Sequence, residues 1–141
     1  MTNLKSQSGR SMVEMLGVLA IIGVLSIGGI AGYSMAMNRY KANEILAAAA
    51  QVAVIGSTAD MGEGMDTDAS AIGGTPSGAT TIEYKKASKK VQITGVAEGV
   101  ATAINSVVGG TTAPCGTPEG DSNTCTLEMT DGRLTGTAAI Q

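Results

Sequence analysis

Gly9-Arg10-Ser11-Met12-Val13-Glu14 leads into Met15-Leu16-Gly17-Val18-Leu19-Ala20-Ile21-Ile22-Gly23-Val24-Leu25-Ser26, the start of a run that carries no charged side chain as far as Asn38. At 1.5 Å per residue, a helix over residues 15–37 is long enough to cross the roughly 30 Å hydrocarbon core of a bilayer. Glu14 stands at the edge of that run. A charge at the centre of a membrane helix costs roughly 2.5–3.5 kcal/mol on insertion scales, so ionisable residues in such a setting usually have a partner and a purpose. Lys5 and Arg10 precede the run. By the positive-inside tendency they hold the short N-terminal end in the cytoplasm, so everything after the run is exported.

An ordinary secretory signal is the competing explanation. It needs a basic start, roughly 7–15 apolar residues and a small-residue cleavage site. Ser34-Met35-Ala36 has the composition of such a site. Against it, the uncharged run is longer than that role requires, and an acid between the basic start and the apolar region brings a signal peptide no benefit. A plain signal anchor is a second alternative of the same standing.

The apolar pattern continues past Asn38. Tyr40, Ile45, Leu46, Ala47 to Ala50 and Val52 to Ile55 are interleaved with Arg39, Lys41, Asn43, Glu44 and Gln51, so one helical face is apolar and the other polar. Alanine-rich composition supports the helix, and Gly56 is placed to close it as a C-cap. The segment 10–56 therefore reads as one stalk helix, membrane-spanning in its first half (15–37) and amphipathic in its second. About 45 residues of helix extend roughly 68 Å. Gly28 and Gly32 form a small-xxx-small pair of the kind that lets membrane helices approach closely. Each interior glycine weakens a helix by about 0.8–1 kcal/mol relative to alanine, which makes Gly28 and Gly29 candidates for local unwinding; generic use of glycine in membrane helices explains them equally.

The remainder is one small domain. In 141 residues there is no Phe or Trp, and the only aromatic residues are Tyr33, Tyr40 and Tyr84, so the core is built from Ala, Val, Ile, Leu and Met and leans on a neighbouring element. From Ser57 onward there are ten acidic and five basic residues, against Arg10, Arg39, Lys41, Glu14 and Glu44 in the stalk. Nothing resembles the clustered basic face of a nucleic-acid binder, so no nucleic acid is expected to bind directly.

Residues 57–81, rich in Gly, Ser, Thr and Asp, read as an irregular connection. Its acids Asp60, Glu63, Asp66 and Asp68 do not follow the ligand register of a calcium loop, and a solvated acidic loop is the simpler reading. Ile82-Glu83-Tyr84-Lys85 and Lys90-Val91-Gln92-Ile93-Thr94 alternate as two short strands. The intervening cluster Lys85, Lys86, Lys89 and Lys90 reads as a solvated turn or edge protection. Val96, Val100, Ile104 and Val107 recur at helical spacing, predicting a helix over 95–108 with a core-facing side. Thr124 to Thr130 alternates again, Asp131-Gly132 signals a hairpin, and Arg133 to Thr137 returns. The fold class is α+β: a long N-terminal helical stalk packed against a small antiparallel sheet with one short extra helix.

Cys115 and Cys125 are the two cysteines, flanking a loop rich in Gly, Pro, Asn and Asp. An exported chain meets oxidising surroundings, and closing a loop of this size gains roughly 3 kcal/mol in the chain-entropy estimate, so a disulfide is expected. Without histidine, a metal cluster, a phosphate loop or a nucleophile elbow, the chain offers no catalytic constellation; no enzyme activity, metal or cofactor is expected.

Gly9-Arg10-Ser11-Met12-Val13-Glu14-Met15-Leu16, with the apolar run behind it, resembles the type IV pilins and the related pseudopilins. The resemblance implies cleavage by a prepilin peptidase between Gly9 and Arg10, so that residues 1–9 are a leader, 10–56 the stalk and 57–141 a head with a C-terminal disulfide loop and hairpin. It also implies methylation of the new N-terminus at Arg10, although the family usually has phenylalanine or methionine there. Glu14 becomes the fifth residue of the mature chain, where the family carries its glutamate. One helical turn separates the fifth residue from the first, so a neighbouring subunit shifted along the axis can present its α-amino group to Glu14. Removing one member of such a buried pair strands a charge at a cost of about 3–5 kcal/mol, which suits it to fixing subunit register.

The strand, Val/Ile-rich helix and Cys-Thr strand also resemble the type IVb branch. There the first cysteine commonly lies in the helix; here Val100 occupies the comparable region and Cys115 falls later. Related pilins unwind part of this helix on polymerising, usually near a proline that this stretch lacks. The expectation is a structural subunit that sits in the bacterial inner membrane, meets the pilus assembly platform, and polymerises through its N-terminal helix into an extracellular homo-oligomeric filament. Adhesion, motility or DNA transfer would then be properties of the fibre. A minor pilin or a type II secretion pseudopilin is the alternative within the family, and a membrane-anchored or secreted binding protein that never polymerises is the alternative outside it.

Overall fold

A computed structural model describes residues 7–58, 66–108, 112–131 and 133–137, with side chains described from Ser11 onward. The readings that fall on Lys5, Asp60, Glu63 and Gly132 lie outside the described residues. Two compact units divide at Ala36 and Met37. The first helix, α1, spans Gln7–Thr58. It encloses the whole predicted stalk.

In the first unit every described side chain is exposed. Ala, Leu, Ile and Met propagate the helix there, and the five glycines from Gly17 to Gly32 meet nothing within 4 Å of where a Cβ would stand.

The second unit carries the core. Its sheet has the order β1-β2-β3-β4-β5, with strands β1 Thr67–Asp68, β2 Thr81–Lys85, β3 Lys90–Val96, β4 Asn123–Thr130 and β5 Arg133–Gly136, all neighbours antiparallel. A second helix, α2, Glu98–Val108, connects β3 to β4. Strand alternation places Ile82 and Tyr84, Val91 and Ile93, and Cys125 and Leu127 in the core. Ala42, Ile45, Ala49, Val52 and Ala53 from α1 complete it with Val100, Ala101 and Ile104 from α2. Each of the larger aliphatic side chains stabilises the unit by about 1.5–3 kcal/mol on burial. Ala42, Ala49 and Ala53 make small residues a large part of α1's share of this core, which has neither Phe nor Trp.

Three local expectations need correction. Gly56 does not cap α1: the helix continues to Thr58, and Gly56 is a buried packing position where a Cβ would overlap the Tyr84 ring. The helix predicted from residue 95 starts at Glu98, because Gly95 (φ +69°) forms an irregularity in the β3–β4 register that turns Val96 inward as part of β3. Val107 is correspondingly half exposed, with Ala101 and Ala103 taking up the core side of α2 beside Val100 and Ile104. Last, residues 66–72 are not irregular: Asp66 accepts from the Lys86 amide (3.1 Å), β1 pairs with β2, and Asp68 caps a 3-10 helix, Ala69–Ile72, by accepting from the Ser70 amide (3.0 Å) and hydroxyl. Two of the four acids in the supposed loop are thereby backbone caps. Propensity alone does not reveal this, because β1 is two residues long.

Candidate functional site

Over residues 11–37 the site is a helix surface. Fourteen large apolar side chains from Met12 to Met35 are 52–73% exposed, and an 18-residue window in this helix reaches a mean hydropathy of 2.2. Glu14 is the one charged side chain between Ser11 and Asn38, and it is exposed on α1. Two of the serine hydroxyls in this stretch have their partners inside the helix: Ser26 Oγ donates to the Ile22 carbonyl (2.7 Å) and Ser34 Oγ to the Ala31 carbonyl (2.9 Å). A serine hydroxyl bonded to its own helix backbone is suited to hydrocarbon, where water cannot satisfy it. Among the described residues one helix, α1, is long and apolar enough to cross a membrane.

Gly9 and Arg10 fall in the first turns of α1 by their backbone. Gly28 and Gly29 are helical, with open space around both. At 1.5 Å per residue they lie roughly 21 Å along the helix from Glu14, so these residues form a line and not a pocket.

Cys115 and Cys125 are brought together. They form a disulfide (S–S 2.00 Å) with Cys125 fully buried on β4. The lysines at 85, 86, 89 and 90 flank and form the β2–β3 turn, where Lys89 adopts φ +55° and its amide donates to the Lys86 carbonyl (3.2 Å). Lys85 pairs with Glu83 at 2.7 Å, which raises its pKa above the ordinary lysine value.

No family model, curated protein or solved structure matches the chain. The reading of the site therefore rests on its own chemistry.

Three contacts in the head escape a reading of the sequence. Asn105 and Asn123 anchor the disulfide loop by their side-chain amides, and Asn38 lies against Gly99 at the start of α2, where a Cβ would meet its side-chain amide group. An asparagine in the last turn of a Val/Ile-rich helix is the single sign available for Asn105; nothing in the local pattern marks the other two.

Proposed function

We propose that this chain is a pilin-like structural subunit that is held in a membrane by α1 and polymerises through the same helix into an extracellular filament. The observation that carries the reading is the row of exposed apolar side chains from Met12 to Met35, with Glu14 as its single charge. Covering even half of those fourteen side chains stabilises the chain by about 10–20 kcal/mol at 1.5–3 kcal/mol each. Such a surface does not stand in water, and a bilayer followed by neighbouring copies of the same helix covers it in both stages. Glu14 supplies register: the α-amino group created by cleavage between Gly9 and Arg10 on one subunit neutralises the carboxylate of the next. Enzymatic work is not part of the proposal, and the assembly machinery, the prepilin peptidase and other copies are its partners.

Replacing Glu14 with alanine in the native host and imaging the cells tests the assembly role; filaments in normal number would remove it. Mass spectrometry of the mature N-terminus tests the processing: a start at Arg10 supports the reading, and a start near Met37 turns the helix into a removed signal. A span-competent helix is equally the observation expected of a membrane-anchored binding protein, and that alternative predicts no sheared filament material at all. A minor pilin or a secretion pseudopilin would be present in such material only at low abundance.

A further inference from the structure

The loop closed by Cys115 and Cys125 is held by a second set of bonds that involves neither sulfur. Asn105 Oδ1 accepts from the Cys115 amide (2.9 Å), and Asn105 Nδ2 donates to the Gly116 carbonyl (3.0 Å). Asn123 does the same for the far side: its Oδ1 accepts from the Glu119 amide (2.8 Å), and its Nδ2 donates to the carbonyls of Val96 (2.9 Å) and Gly120 (3.1 Å). The Thr126 amide donates to the Pro114 carbonyl and the Glu98 amide to the Gly120 carbonyl, both at 2.9 Å. Gly116 (φ +60°) and Gly120 (φ +64°) supply the left-handed turns this path requires.

We infer that these hydrogen bonds, and not the sulfur–sulfur bond, set the fold of the loop, and that Asn105 is a positioning residue that presents the Cys115 thiol to Cys125 before oxidation. Both cysteines are carried by structure that is ordered for other reasons. Cys125 sits on β4, which pairs with β3 on one side and β5 on the other, and Asn105 stands on α2, whose Val100, Ala101 and Ile104 are buried in the core. In a slack loop the ordering of the chain falls on disulfide formation itself, whereas here it is met in advance. Oxidation then needs only the exchange of electrons: two thiols release two protons and two electrons, and a disulfide oxidant such as oxidised glutathione takes them up to give two thiols. By linkage, whatever Asn105 contributes to closing the sulfurs, the closed disulfide returns to the Asn105 hydrogen bonds.

The test uses the full chain in detergent micelles, equilibrated in glutathione redox buffers. Amide hydrogen exchange is followed in parallel on the reduced protein and on a Cys115→Ser/Cys125→Ser variant. The expected result is that the Cys115, Glu119 and Thr126 amides (residue 115 as serine in the variant) stay protected without the disulfide. Asn105→Ala should shift the disulfide equilibrium toward the dithiol by roughly tenfold or more, as the loss of two hydrogen bonds implies. Val107→Ala, an exposed change in the same turn of α2, should leave that equilibrium in place. Exchange of those amides at unfolded rates in the reduced protein or the serine variant would overturn the inference, and so would an unmoved equilibrium in Asn105→Ala. An equal shift in Val107→Ala would overturn it too, since the effect would then be one of general stability. Should Asn105→Ala fail to fold, the serine variant decides alone: protected amides uphold the inference and unprotected ones end it.

Discussion

Replacing Gly56 with alanine should destabilise the head, although the same change in an open helix stabilises it. A Cβ at Gly56 overlaps Cδ1 of Tyr84 and stands 2.7 Å from Cγ and 2.8 Å from Cε1 of the same ring. The ring is 4% exposed on β2, which is flanked by β1 and β3, so it cannot swing into solvent without leaving the core. Alanine returns about 0.8–1 kcal/mol of helix propensity, while overpacking a well-filled core costs about 1–3 kcal/mol. The net loss is on the order of 1 kcal/mol. For a unit of this size that corresponds to a drop of about 4–8 °C in melting temperature. Thermal unfolding of the full chain in micelles, followed by the near-UV signal of the tyrosines, measures it. A Gly56→Ala protein as stable as the wild type would refute the contact. The pair Gly56→Ala with Tyr84→Leu isolates it further: relief of the overlap should appear as a coupling of about 0.5–3 kcal/mol between the two changes, and strict additivity would show that the two residues do not meet.

Two further outcomes follow from the core and its caps. Leu127→Ala, at a fully buried position on β4, should cost about 2–5 kcal/mol in chemical denaturation of the head, and a loss below 1 kcal/mol would mean that the site collapses around the smaller residue or is not core. The Asp68 carboxyl is held below its usual value by the Ser70 hydroxyl and amide. A depressed folded pKa contributes stability that is present above the unfolded value, near 3.9, and is lost as the pH falls through the folded one. Asp68→Asn should therefore flatten the acid limb of the stability profile and leave the neutral range less affected, and profiles that run parallel from pH 2 to 7 would count against the cap.

The parts of the fold with a strong period are legible in the sequence. Ile82 to Lys85, Lys90 to Thr94 and the hairpin around Asp131 alternate with period two, α2 repeats Val100 and Ile104 at one turn, and the long run from Met15 spells out a helix with no charge to break it. Where reading failed, the reason was a contact and not a propensity. Gly56 looks like a helix stop because glycine usually is one, yet here its missing side chain makes room for Tyr84 from a strand some thirty residues on. Val96 looks like the first core residue of a helix, but Gly95 resets the strand's phase and Val96 closes β3 instead. The pairing of Thr67 with Tyr84 and of Asp68 with Glu83 leaves no trace in a two-residue strand.

Of the candidate site, the apolar surface and Glu14 were fixed by the sequence alone, because membrane compatibility depends on the length and charge of one continuous segment and on nothing distant. The disulfide partner was also settled early, since there are two cysteines and one way to join them. What holds those cysteines in place was decided only by the tertiary structure. Asn105 and Asn123 become anchors because α2 and β4 carry them to the backbone of Cys115 and of Val96, 10 and 27 residues away in sequence, and a side-chain amide can recognise such groups only after the sheet and helix have brought them within 3 Å.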